Sequence, residues 1–288
     1  MEIKPPTTID EQIAILERRG CIITDREFAR RALDNINYYR LTTYFLPYRN
    51  ENNTYTEGLT FEKVSRVYEF DRKLRGILFP IIEEIEIALR SKLAYYHAHK
   101  YGAQGYMDAA NFNVKHRHKE FLHTIKGYIN KNETLLFVKH HINKYDGQFP
   151  IWVIIELFSM GQLSRFYGDM LTPDRKAFAQ STFGLHDTVV KSWLECLTSL
   201  RNHCAHYSRL YYYHFPRIPA TVKNSPYVMS NSVYDYIYML KFMYSRIGDW
   251  ESAFFIPLQT LIEEYAEYID LEHMNFPEDW ENALFEKS

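Results

Sequence analysis

One periodic run constrains this chain more than any other feature. Between Phe61 and Lys100, the residues Val64, Val67, Tyr68, Leu74, Ile77, Leu78, Ile81, Ile85 and Leu89 recur at helical spacing. They predict a helix with one broad apolar face, too long for any single neighbour to cover. The remaining segments must therefore pack around it, and Pro80 is expected to kink or divide it. Upstream, Thr8 should cap a helix carrying Ile9, Ile13 and Leu16 that Gly20 ends, and Thr24 or Asp25 should cap a second through Asn35. Residues 50–58 and 102–113 read as loops, followed by two helices over 115–130 and 133–144. Pro150 opens IWVIIELFSMGQLSRFYGDML, apolar enough for one central buried helix. Thr172-Pro-Asp starts another through Thr182. Asp187 should cap a helix bearing Val190, Trp193, Leu194, Leu197 and Leu200. Proline-bounded turns over 216–226 then lead to helices over 233–247 and near 257–271. No segment alternates in the manner of a strand, and no repeat or linker divides the chain. The prediction is a single all-α domain: an N-terminal helical extension over 1–58, a core over 59–215, and C-terminal helices over 216–288.

Composition narrows the function classes. Tyr and Phe number 24 and 19 against only 11 Gly, which suits helices knitted by bulky side chains. No apolar run reaches the length of a membrane span. The opening MEIKPPTTIDEQ is polar and acidic where a secretory leader would be basic and then apolar. Three cysteines, Cys21, Cys196 and Cys204, read as reduced thiols of a cytoplasmic protein. Phosphate-cradling glycine loops and a GxSxG elbow are absent from the sequence. Cys196, His203, Cys204 and His206 cluster in sequence, but without a CxxC pair or HExxH, and such a run along one helix cannot converge tetrahedrally, so no metal is expected. The acidic run Glu83, Glu84 and Glu86 reads as a solvated helix face.

Chemistry concentrates in LRNHCAHYSRLYYY, residues 200–213, at the end of the amphipathic Asp187 helix. Arg201 supplies a planar fork of donors suited to a phosphate, and His206 can take and return a proton near neutral pH. Asn202 lies four residues before His206 on the same helix face, while Arg201 is about 100° round the helix from Asn202. Spacing alone decides nothing. With 18 Arg and 12 His, an Arg followed by a His with four to six residues between them should occur about twice by chance. Four such pairs exist: Arg90/His97, Arg117/His123, Arg201/His206 and Arg209/His214. Arg90 is better explained by an ion pair with Glu86, four residues earlier. The motif also admits a purely structural role, as a hydrogen-bond cluster tying helices together.

RNHCAHYSRLYY resembles the RN-x(3)-H hallmark of HEPN-superfamily ribonucleases, specifically the Abi-type abortive infection proteins. KPPTTIDEQIAILERRG, INYYRLTTYFLPYR, YEFDRKLRGILFPIIEEIEIALRSKL and PIWVIIELFSMGQLSRFY are similar to blocks of the same family, in the same order. The resemblance implies a HEPN-like helical bundle with additional N-terminal and C-terminal helices, pairing as a homodimer across a shared cleft. It implies metal-independent cleavage of an RNA substrate without a cofactor, with Arg201 and His206 catalytic and Asn202 orienting or stabilising. An antitoxin or small-RNA regulator would fit such a protein. Secondary RNA contacts are expected from Arg40, Arg72, Arg75, Tyr207, Arg209 and Tyr211, with Tyr212 a further stacking surface. The alternative is a non-catalytic RNA- or protein-binding module of the same fold.

Overall fold

A computed structural model describes residues 5–285 apart from Asn224 and Pro226. The residues 1–4 of the expected non-leader N-terminus, and those two positions of the expected 216–226 turns, lie outside the described residues. Thr8 caps α1 (Ile9–Arg18) in a reciprocal box with Glu11, and Gly20, at φ 92°, ends that segment. Asp25 rather than Thr24 caps α2 (Arg26–Asn35), accepting from the Phe28 N–H. Asn37 caps the short α3 (Tyr38–Thr42), which tightens into a 3₁₀ turn, Thr43–Tyr48.

The long periodic run is one unbroken helix, α4 (Phe61–Tyr101), capped by Thr60 and ended at Gly102 with φ 79°. Pro80 does not divide it. Proline removes the N–H that would bond the Gly76 carbonyl, but Pro80 and Gly76 both lie on the exposed face, where water can hydrate that carbonyl. The apolar face is buried along its whole length, from Phe61, Val64 and Val67 through Leu74, Leu78 and Ile85 to Leu93.

The expected helices after the 102–117 segment form as α5 (His118–Lys131) and α6 (Leu136–Lys144). The apolar segment after Pro150 is not one helix. It forms α7 (Ile151–Ile154), a 3₁₀ turn over Ile155–Leu157, an extended Phe158, and α8 (Met160–Asp169). Ser159 restarts the helix by accepting from the Gln162 N–H. Gly184, left-handed at φ 68°, ends α9 (Thr172–Phe183). The next helix, α10 (Asp187–Ala205), is capped by the His186 side chain, while Asp187 itself turns inward to pair with Arg175 at 3.0 Å. Then come α11 (Val233–Tyr244), a π-helical turn over Glu251–Phe255, and α12 (Ile256–Tyr265). A 3₁₀ turn, Leu271–Met274, and α13 (Trp280–Phe285) close the described chain; the sequence pattern indicates neither.

The described residues form isolated bridges but no strand, so the fold is all-α. The core is a sleeve around α4, which packs against α7, α8, α9, α10, α11 and α12. The most extensive helix pairing outside α4 is between α8 and α10. There Gly161 of α8 faces the Thr198 methyl of α10. No helix of the described residues is long and apolar enough to cross a membrane.

Candidate functional site

The final turn of α10 carries the RN-x(3)-H residues, and its apolar face fixes their direction. Val190, Trp193, Leu194, Leu197, Leu200 and Cys204 are buried, which turns Asn202 and His206 outward and leaves Arg201 at the edge. His206 is the C-cap, its N–H donating to the Asn202 carbonyl at 3.0 Å. Among the described residues neither the Asn202 side chain nor the His206 ring has a hydrogen bond or ion pair. A purely structural role for the cluster thus does not fit these two side chains.

Arg201 differs. Its Nε lies 3.4 Å from Glu86 Oε2, an ion pair short of hydrogen-bond geometry, and its side chain is 35% exposed. The other Glu86 oxygen accepts from Arg90 Nη2 at 2.5 Å, and Arg90 also donates to the Phe158 carbonyl at 3.0 Å. The Arg90–Glu86 pair is therefore internal, not on the helix surface as the spacing suggested. Glu86 likewise departs from the solvated acidic run, while Glu83 and Glu84 stay exposed. An open cavity of about 250 Å³ over this cluster is lined by Glu83, Glu86, Arg90 and Arg201.

Immediately after α10 the chain reverses through a Schellman motif. Tyr207 donates to the Cys204 carbonyl and Ser208 to the His203 carbonyl, with Tyr207 left-handed at φ 57°. Glycine normally occupies that position, and a side chain there costs about 1–2 kcal/mol. Three arginines hold the strained segment. Arg40 Nη1 donates to the Tyr207 carbonyl at 2.5 Å, Arg75 Nη1 to that of Ser208 at 3.1 Å, and Arg209 Nη1 to that of Thr43 at 2.7 Å.

Asp71, fully buried on α4, anchors the next stretch of chain. Its Oδ1 accepts the N–H groups of Leu210 and Tyr211 at 2.9 and 2.7 Å. Its Oδ2 accepts from the Tyr44 hydroxyl at 2.6 Å and from Arg75 Nη1. Burial works against the Arg75 charge, but Asp71 and Tyr44 together outweigh it and hold the guanidinium above its ordinary value. Burial and the Asp71 charge push the Tyr44 phenol up, so it stays a donor.

The expected RNA contacts divide accordingly. Arg75 is 6% exposed and Tyr211 fully buried, its hydroxyl within 2.7 Å of His273 Nδ1. The structure corrects both: their polar atoms serve the Asp71 network and the C-terminal 3₁₀ turn. Arg209 is half-buried, held below its ordinary value by burial, and occupied by Thr43. Arg40, Arg72, Tyr207 and Tyr212 are exposed, Tyr207 at 70%, and Tyr39 beside Arg40 at 81%. His203 is turned aside, its ring against Tyr213 and Phe215. Cys196 and Cys204 are buried, and burial pushes their thiols up to about 11 and 12. Among the described residues no three His, Cys, Asp or Glu side chains gather as metal ligands.

Sequence reasoning missed Asp71 and Tyr44, and it named Glu86 as the partner of Arg90 without its contact to Arg201. The i, i+4 pairs Asp71/Arg75 and Glu86/Arg90 were the available signal, but periodicity cannot tell a buried ion pair from a surface one.

A family model described as Abi-like protein matches residues 31–212. No curated protein and no solved structure matches the chain. The matched span covers well over half of the sequence and contains Tyr44, Asp71, Glu86 and the whole Arg201–His206 segment. On that match the chain belongs to the Abi-like protein family.

Proposed function

We propose that this protein is a metal-independent endoribonuclease of HEPN type acting in abortive infection, with a composite active site between two copies of the chain. The observation that carries the reading is that Asn202 and His206 stand side by side at the surface with their side chains unengaged among the described residues. Directly after them the backbone is pinned by the buried Asp71 carboxylate and by Arg40 and Arg75. A surface pair with no packing role, set on a braced frame, is what a reacting group requires.

In this reading the RNA 2′-hydroxyl attacks the adjacent phosphorus as an imidazole takes its proton. The bond to the 5′-oxygen breaks, and a second imidazole gives that oxygen a proton, leaving a 2′,3′-cyclic phosphate and a 5′-hydroxyl. One chain supplies one His206, so a two-fold partner would provide the other. Arg201, with its partly exposed guanidinium steadied by Glu86, offsets charge on the non-bridging oxygens, and Asn202 orients phosphate or ring. His206→Ala is expected to abolish RNA cleavage by purified protein with the far-ultraviolet circular dichroism unchanged; cleavage at the parental rate would remove His206 from the chemistry.

A second reading, a non-catalytic RNA-binding module, draws on the Arg201–Glu86 pair, because a guanidinium shared with a buried carboxylate is partly committed already. Gel shifts of RNA by the parent protein without any cleaved product would favour it.

A further inference from the structure

Two open cavities, each of about 430 Å³, share Arg165 and Asp169 in their linings, one lying along α8 and α10 and the other along α8 and α5; we take the two together as one polar groove. One half runs over Lys191, Glu195, Thr198 and Ser199 of α10, with Arg217 at its margin. The other half continues past Lys115 and Arg117 at the start of α5. Gly161, Ser164 and Gly168 give the first half a floor of small residues, so the cationic side chains stand at its edges.

Two of the three carboxylates of this groove are matched by arginines, and Asp169 has a histidine partner. Asp169 pairs with His116, Glu195 with Arg217, and Glu120 with Arg117. Arg165, Lys191 and Lys115 are exposed, and among the described residues their side chains have no ion pair or hydrogen bond. Counting His as neutral, these three cations set against Asp169 leave the lining a net charge of +2, in a protein whose overall charge is −2. The groove also has a direction. At 100° per residue, Lys191, Thr198, Asn202, Glu195 and His206 fall within a stripe about 80° wide on α10. From Lys191 to Asn202 is about 16 Å along the axis. Among the described residues the one Phe, Tyr or Trp lining either half is Phe121, which is buried, and the His116 side chain is only 3% exposed, so neither ring is open for a base to stack on.

We propose that this groove holds the sugar–phosphate backbone of a single RNA strand and leads it along α10 to Asn202 and His206. The inference rests on the ribonuclease reading for the identity of the polymer. Unmatched cations without stacking rings bind phosphates without reading sequence, and such binding is steeply dependent on salt.

The test measures fluorescence anisotropy of a labelled unstructured 20-nucleotide RNA on His206→Ala protein, titrated between 0.05 and 0.3 M KCl. Adding Arg165→Ala and Lys191→Ala should lower the slope of log affinity against log salt by about 1.4, at about 0.7 for each phosphate no longer neutralised. If the two lines meet at 1 M salt, that is about 25-fold weaker binding at 0.1 M. Arg165→Lys with Lys191→Arg, which keeps both charges, should retain the parental slope. An unchanged slope in the alanine variant overturns the groove and leaves the ribonuclease reading standing. Absence of cleavage by the parent protein, together with the expected slope loss in the alanine variant, overturns the ribonuclease reading and supports the groove. Failure of His206→Ala protein to bind the RNA at 0.05 M salt overturns both. Displacement of the RNA by a polyglutamate peptide of equal charge, at equal concentration, overturns the assignment to nucleic acid.

Discussion

Asp71→Asn should be the most damaging near-isosteric change in this protein. The carboxylate is fully buried and accepts four hydrogen bonds: two from the Leu210 and Tyr211 amides, one from Tyr44 and one from Arg75. An amide in its place keeps the shape but loses the charge, and its NH₂ faces either the two backbone donors or Tyr44 and Arg75. With the NH₂ toward Leu210 and Tyr211 two backbone donors confront a donor, and turned the other way it meets the Arg75 guanidinium, which cannot accept. Arg75, 6% exposed, is left as a buried cation without its counter-ion. Removing one partner of such a pair costs about 3–5 kcal/mol. Domains are stable by about 5–15 kcal/mol, so the loss is a large share of the total. The melting temperature should fall by about 10 °C. Urea titration followed by tryptophan fluorescence measures the change, and Arg75→Met added to Asp71→Asn should recover part of it by removing the stranded cation. Hydrogen exchange at Leu210 and Tyr211 should accelerate more than at Leu74 or Leu78 of α4. A loss under about 1 kcal/mol would refute the view that this carboxylate braces the segment after the motif.

Two further outcomes are expected. Tyr207→Gly should stabilise the fold by about 1 kcal/mol by relieving the left-handed strain at φ 57°, while weakening RNA binding through loss of an exposed ring; a melting curve and an anisotropy titration on the same sample separate the two effects. Burial holds His97 and His273 below the ordinary imidazole value of 6.5, so the unfolded chain binds more protons than the folded one beneath that pH. Stability from these groups is present above pH 6.5 and drains as pH falls below it, at no more than about 1.4 kcal/mol per pH unit for each ring. His97 is 1% exposed, and among the described residues neither ring nitrogen meets hydrogen-bond geometry, so His97→Phe should flatten urea midpoints measured between pH 7.5 and 5; an equally steep decline in the variant would locate the effect elsewhere.

The elements with strong local grammar were legible in the sequence. Thr8 with Glu11 marked the start of α1, and Gly20 stood where that segment ended. The apolar stripe of α4 announced its burial, because a face of that length has no soluble alternative. Where competing local signals were close in energy, the sequence misled. Ser159 inside an apolar run reads as one tolerated polar residue, yet its hydroxyl caps a new helix. Pro80 reads as a breaker, yet its exposed position makes the missing bond inexpensive. The Arg201–His206 segment could be found by spacing and neighbouring blocks. Its foundations could not, since Asp71 meets Leu210 and Tyr211 across about 140 residues of chain. No local pattern reports such a contact.

The two carboxylates under the motif share α4, and that fact sets a phase. Asp71 grips the chain after the motif and Glu86 grips Arg201 within it, fifteen residues apart on one rigid rod. Fifteen residues are about 22 Å and four turns with about 60° to spare, so both anchors look toward the same side. Inserting or deleting one residue between them would swing one anchor by about 100° relative to the other. The motif could then be held at its head or its tail, never at both. Along this stretch of α4 the reading frame of the protein's architecture is fixed.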